Sequence, residues 1–140
     1  MAIPFGTPEW CAALAAEING SSEFRNAAAK WGDGFNGNLL FAFEADAALP
    51  TPLYLLLKLS AGRCGGADFV SGPTDAEAGF TLRAPFTLWK EILERKTLAA
   101  TAILTGKMRV EGDKLTLLKH AGASRALIHC TASVETRFPG

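Results

Sequence analysis

His129 and Cys130 stand side by side, and a cysteine beside a histidine is the pair from which a thiolate nucleophile could be built. Their place in a helical stretch argues against it, because neighbouring residues on a helix point about 100° apart and do not face each other. A histidine near a helix end and a small thiol in the core fit the pattern better, and His120 invites the same reading. Glu44 and Asp46 share one face of a strand and could act as an acid–base pair. A solvated strand end accounts for them equally well, since no aromatic or basic neighbours would push their pKa values apart. Gly62, Gly65 and Gly66 could cradle a phosphate, but no Gly-x-x-x-x-Gly-Lys-Ser/Thr run and no long helix follows, which leaves a turn or bulge. Cys11, Cys64 and Cys130 are an odd, widely spaced set that fits neither a disulfide framework nor a zinc site. The expectation is no bound metal, no cofactor and no disulfide.

The whole chain narrows the classes further. Its 140 residues fit one domain, 1–140, large enough to bury roughly two thirds of the unfolded surface. Lys plus Arg and Asp plus Glu number 14 each, so the charge balance gives no case for nucleic acid. Apolar residues make up 49%, yet no run approaches the ~20 residues that span a bilayer. The N-terminus lacks the basic and apolar stretches of a secretory signal, so a reducing, cytoplasmic setting is expected.

Thr7 before Pro8 opens a first helix carrying Trp10, Leu14 and Ile18 on one face, and Asn19-Gly20 ends it. Ser22 starts a second with Phe24, Ala27, Ala28 and Trp31, stopped by Gly32 and Gly34; both are placed on the outside of the sheet. Strands follow at Leu39–Asp46, at Leu53–Ser60, which is apolar on both faces apart from Lys58 and so reads as covered, at Cys64–Ser71, and, after the turn Gly72-Pro73-Thr74, at Glu77–Ala84. Pro85 then opens a helix with Phe86, Trp89, Ile92 and Leu93 on one face and Lys90, Glu91, Glu94 and Arg95 on the other. An alanine-rich helix, Leu98–Thr105, comes next. A short alternating strand, Lys107–Glu111, turns Met108 and Val110 to one side between Gly106, a helix-stopping C-cap, and Gly112. Asp113 caps a helix with Leu115, Leu117 and Leu118, a break falls at Gly122, and a last helix runs from Ser124 to about Val134. The first seven residues and the final few read as loose.

The helix pair, the run Gly106-Lys107-Met108-Arg109-Val110-Glu111-Gly112-Asp113 and the two short helices after it resemble the sterol carrier protein type 2 family, over about Asp33 to Ser133. The resemblance implies an α+β fold: a five-stranded mixed, mostly antiparallel sheet covered by helices, its last strand reached by a helical crossover, enclosing an apolar tunnel for fatty acids, acyl-CoA, phospholipids or sterols. Two features depart from the family. Its eukaryotic members often end in a peroxisomal address, whereas this chain ends Arg137-Phe138-Pro139-Gly140, and the hinge that often holds a glycine reads Arg95-Lys96-Thr97 here. Aromatics such as Phe80, Phe86 and Trp89 are by default core. The resemblance instead implies tunnel walls at Phe80, Leu82, Phe86, Trp89, Ile92, Leu93, Leu98, Ala102 and Leu104, a floor at Met108 and Val110, and a lid at Leu115, Leu118, Leu127 and Ile128.

Such a site needs no catalytic group. Each buried methylene contributes about 0.8 kcal/mol, so a chain of about 14 brings roughly 11 kcal/mol before the cost of ordering. The reading is a non-catalytic carrier of a long apolar ligand such as a fatty acid or sterol-like lipid. Two alternatives stand beside it: a small enzyme on an apolar substrate with Glu44 or Asp46 as base, and an interaction module whose core is filled.

Overall fold

The computed structural model describes residues 2–73 and 77–139; Thr74 of the expected turn lies outside the described residues. In chain order the elements are β1 (Ile3–Pro4), α1 (Pro8–Gly20), α2 (Ser22–Ala27), β2 (Leu39–Glu44), β3 (Leu53–Ser60), β4 (Arg63–Val70), β5 (Phe80–Pro85), α3 (Phe86–Leu93), α4 (Ala99–Leu104), β6 (Arg109–Glu111), α5 (Lys114–Lys119), α6 (Ala121–Ser133) and β7 (Thr136–Arg137). Local chemistry sets several boundaries. Thr7 Oγ1 accepts the Trp10 amide at the start of α1, Ser21 Oγ accepts the Phe24 amide at the start of α2, and Asp113 accepts the Leu115 and Thr116 amides at the start of α5. Gly106, at φ +79, lets the chain turn back after α4 in a conformation that a side chain would disfavour.

Five strands form a mixed sheet in the order β4-β3-β2-β5-β6. Every pairing is antiparallel except β2 with β5, whose parallel register sets Leu39 beside Phe80 and Phe41 beside Leu82. Leu39, Phe41 and Phe43 of β2, Leu55 and Leu57 of β3, and Phe80 and Leu82 of β5 form one continuous core with buried residues from all six helices. α1 and α2 belong to that layer rather than to an outer one: Trp10 of α1 and Phe24 of α2 are 0% and 2% exposed, and because α2 ends at Ala27, Trp31 lies in the turns after it, buried at 4%.

The helices therefore cover one face. The apolar run of β3 reads as covered on both sides, but Tyr54 and Leu56 alternate onto the helix-free face with Leu40 and Ala42 of β2. Leu40, Ala42 and Leu56 are buried there without joining the main core. By strand alternation the long side chains of Lys58 and Arg83 share their face, and such stems can shield apolar surface while their charges stay in water.

The chain ends are not loose. Ile3 and Pro4 pair in parallel with Thr136 and Arg137, and Trp10 Nε1 donates to Thr136 Oγ1 at 2.9 Å. Phe5 inserts among Trp10, Phe43, Phe69, Phe86 and Phe138, with ring centroids 5.0 to 5.7 Å away. No local pattern announces such a clasp, because its parts lie at opposite ends of the chain.

The C-terminal helices divide at His120, not at Gly122, which sits inside the first turn of α6. His120 fixes the break: its Nδ1 lies 2.9 Å from the Thr116 carbonyl and its ring meets Trp31 edge-on at 5.1 Å. The buried stripe of α6 is wider than the sequence suggests, since Ala123, Ala126, Cys130 and Thr131 join Leu127 against the other helices. A helix held by that many contacts is part of the core as well as a cover. Among the described residues no helix is long and apolar enough to cross a membrane.

Candidate functional site

The residues that could have done acid, base or nucleophilic chemistry are engaged in structure. Glu44 pairs with Arg109 at 2.9 Å, and Arg83 pairs with Glu111 at 2.8 Å. Strand alternation puts Glu44 with Leu40 and Ala42, on the face opposite the helices. Asp46 lies beyond the strand, where one carboxylate oxygen accepts the Ala48 and Leu49 amides and the other accepts the amide and hydroxyl of Thr87, bracing the start of α3. These bonds, above all those from Thr87, hold its pKa below the ordinary aspartate value of 3.8. A depressed carboxylate pKa stabilises the fold above the unfolded-state value, and the gain disappears as pH falls through the folded-state value. Asp46→Ala should therefore lower Tm at neutral pH, and the gap to the native protein should close below about pH 3.8. A gap that stayed constant down to pH 2 in a thermal melt series, about the lowest value such bonded carboxylates reach, would show that the carboxylate is not what braces α3.

Nδ1 of His129 lies 3.0 Å from the Glu23 carboxylate, and Cys130 is buried and turned elsewhere. Burial pushes all three thiols up, Cys11 to about 11 with Asp68 adding to the effect. At neutral pH they are un-ionised and poorly nucleophilic. Among the described residues no group of three His, Cys, Asp or Glu side chains is arranged to hold a metal ion. The bulge in the β3–β4 pairing falls between Lys58 and Leu59, beside Gly65, as strand glycines suggest.

What the fold leaves open is a cavity of about 350 Å³ between the sheet and the helices. Its inner wall is Leu39 and Phe41 of β2, Leu82 of β5, Trp89 of α3, Ile103 of α4 and Met108, all buried. Leu117 and Leu118 of α5 and Leu127 and Ile128 of α6 face them, and Leu98, Ala99, Ala100, Ala121, Ser124, Arg95, Arg125 and His129 complete the lining. Trp89 is held rigidly, its Nε1 donating to the Ala42 carbonyl at 2.9 Å and its ring lying 4.6 Å from Phe41. Among the described residues no Asp or Glu lines the space.

Leu82, Trp89, Leu98, Met108, Leu118, Leu127 and Ile128 are thus brought together around the cavity. Other expected wall residues are packed elsewhere. Phe80 lies against Trp31 and Phe35, Phe86 against Phe5 and Phe138, and Ile92, Leu93 and Ala102 are core residues away from the lining. Val110 borders an adjoining hollow with Arg83, Lys114 and Gly106, which meets the cavity at Ile103 and Met108. Leu104 and Leu115 are 68% and 69% exposed. The lining residues Leu39 and Phe41 were not singled out from sequence, although their period-two pattern is plain, because nothing local says that β2 lies beside β5.

The hinge between α3 and α4 borders the cavity. Arg95 holds φ +64, the left-handed region, at a cost of roughly 1 kcal/mol that a glycine would not bear. Its side chain is exposed and lines the cavity.

Residues 26–123 match the family described as the SCP-2 sterol transfer family. No curated protein matches the chain. Among solved structures, a crystal structure of sterol carrier protein 2 is 28% identical, with a TM-score of 0.79 over 91% of this chain and 97% of that one. The solution structure of a conserved hypothetical protein from Thermus thermophilus is also 28% identical, with a TM-score of 0.79 over 94% and 90%. The apo form of sterol carrier protein 2 from Yarrowia lipolytica shares the fold at 16% identity, with a TM-score of 0.56 over 90% and 89%.

Proposed function

This chain belongs to the SCP-2 sterol transfer family, and on that premise we propose that it binds and carries a long apolar lipid in the cavity between sheet and helices, without transforming it. The observation that carries the proposal is the cavity itself, about 350 Å³ with a buried wall of Leu39, Phe41, Leu82, Trp89, Ile103 and Met108. That volume is at the lower end of the roughly 300–1,000 Å³ found for small-molecule sites. It supports a carrier over an interaction module with a filled core. The engagement of Glu44 with Arg109 and of Asp46 with Thr87 supports binding over acid–base catalysis. The continuous core from Phe5 to Val134 supports reading residues 1–140 as one domain.

Ala100 borders the cavity and is half-buried, so a larger side chain there fills the space without cutting into the core. Ala100→Trp should weaken binding of the neutral apolar dye Nile red at least tenfold, a loss of about 1.4 kcal/mol. Thr101→Trp, exposed and away from the lining, should leave it unchanged. With far-UV circular dichroism confirming that both variants are folded, equal dye affinity in the two would refute the assignment of this cavity.

A further inference from the structure

The cavity and the adjoining hollow, about 350 and 410 Å³, are divided by very little protein. Among the described residues they have only Ile103 and Met108 in common, and both are buried, at 4% and 1% exposed. The exposed part of the cavity lining lies elsewhere, at Arg95, Leu98 and Arg125, so the shared pair closes an inner end. The two side chains are held differently. Ile103 sits in α4, where a branched Cβ leaves one strongly preferred χ1 rotamer. Met108 lies between α4 and β6 on a pinned backbone: its amide donates to the Ala102 carbonyl at 3.0 Å, and the Gly106 amide donates to the Ile103 carbonyl at 3.2 Å. Its unbranched side chain, in contrast, turns about three bonds and adapts to what it meets. A movable thioether on a fixed backbone therefore stands between the two spaces. Past it the surroundings change, because the hollow adds to Val110 the charged side chains Arg83, Arg109 and Glu111, tied up in the ion pairs Arg83–Glu111 and Arg109–Glu44 at 2.8 and 2.9 Å.

We propose that Met108 is the end-stop of the cavity, the residue that sets the longest alkyl chain the protein holds. The inference rests on the carrier reading above and adds a length limit that is independent of the head group. A bound chain gains from each methylene until its end meets the thioether. Further methylenes must fold back or push Met108 aside into charged, water-filled surroundings, and neither returns the full gain of apolar burial. Shortening the side chain at position 108 opens the hollow to the chain end and moves the limit outward.

The test is displacement of Nile red by the octyl, decyl, dodecyl, tetradecyl and hexadecyl dimethylamine N-oxides, each below its micelle concentration, so that the head group is constant and only the length varies. In the native protein each step of two methylenes should lower the half-displacing concentration about tenfold up to the limit, and by under about twofold beyond it. In Met108→Ala the first step beyond the native limit should gain about fourfold or more. A substitution that only loosens the fold weakens every homologue by a similar factor and leaves the break at the same length. Met108→Val removes the reach of the thioether but keeps a branched apolar side chain, so it should move the break in the same direction, and it is read in place of Met108→Ala if circular dichroism shows that variant unfolded. If neither variant folds, the native protein decides: a homologue at the length limit with a diazirine on its terminal carbon should cross-link to Ile103 or Met108. A native series without a break, a break that stays in place in a folded variant, or cross-links that avoid both residues overturns the end-stop and leaves the carrier intact. If neither the dye nor any N-oxide binds, the carrier reading falls, and this inference with it.

Discussion

Trp89→Ala should lower the unfolding free energy by about 3 to 5 kcal/mol, the range for removing a large aromatic side chain from a packed interior. The indole is 1% exposed, lies 4.6 and 4.9 Å from the rings of Phe41 and Phe43, and donates to the Ala42 carbonyl. Its loss therefore removes apolar burial, two ring contacts and a buried hydrogen bond at once. For a protein whose whole stability is of order 5 to 15 kcal/mol, that is about a fifth of the total or more. Urea unfolding followed by circular dichroism measures it. A loss below about 1.5 kcal/mol would mean that the helices close over the site, and that Trp89 is not the fixed wall its contacts describe.

Phe5→Ala should cost nearly as much, about 3 kcal/mol, although the residue lies close to the start of the chain. The ring is the common neighbour of Trp10, Phe43, Phe69, Phe86 and Phe138, which come from α1, β2, β4, α3 and the C-terminal segment. Hydrogen exchange should show the amides of Ile3 and Phe5, which donate to Glu135 and Arg137, losing protection first. An effect under about 1 kcal/mol on global unfolding would reduce the clasp to a fringe.

The features that were legible in the sequence are those whose cause is local. α3 separates Phe86, Trp89, Ile92 and Leu93 from its charged side cleanly enough for a four-residue pattern to reveal it, and all four are buried. The capping residues Thr7 and Asp113 mark their own helices by side-chain chemistry. Met108 reads inward from alternation alone. The features that stayed hidden depend on distance along the chain. Leu39 and Phe41 become cavity wall only because β5 runs back to lie parallel to β2, beyond two intervening strands, and no propensity encodes that choice. The same holds for Phe5 and Phe138. Leu104 and Leu115 mislead in the opposite way: leucine suggests burial, but α4 and α5 are six residues each, too short for a stripe to locate their inner side.

The pairing of β1 with β7 also bears on how the polypeptide comes off the ribosome. Ile3 and Phe5 are made long before their hydrogen-bond partners, the carbonyls of Glu135 and Arg137, and Trp10 long before the hydroxyl that satisfies its indole. Vectorial synthesis can assemble the antiparallel β2–β3–β4 ladder early, since its contacts are short-range in sequence. It cannot seat Ile3 and Phe5 until residues 135–137 have been made. Until then the aromatic ring of Phe5 and the indole of Trp10 are held without these partners, so this segment stays open to chaperones until β7 has been made and locks β1.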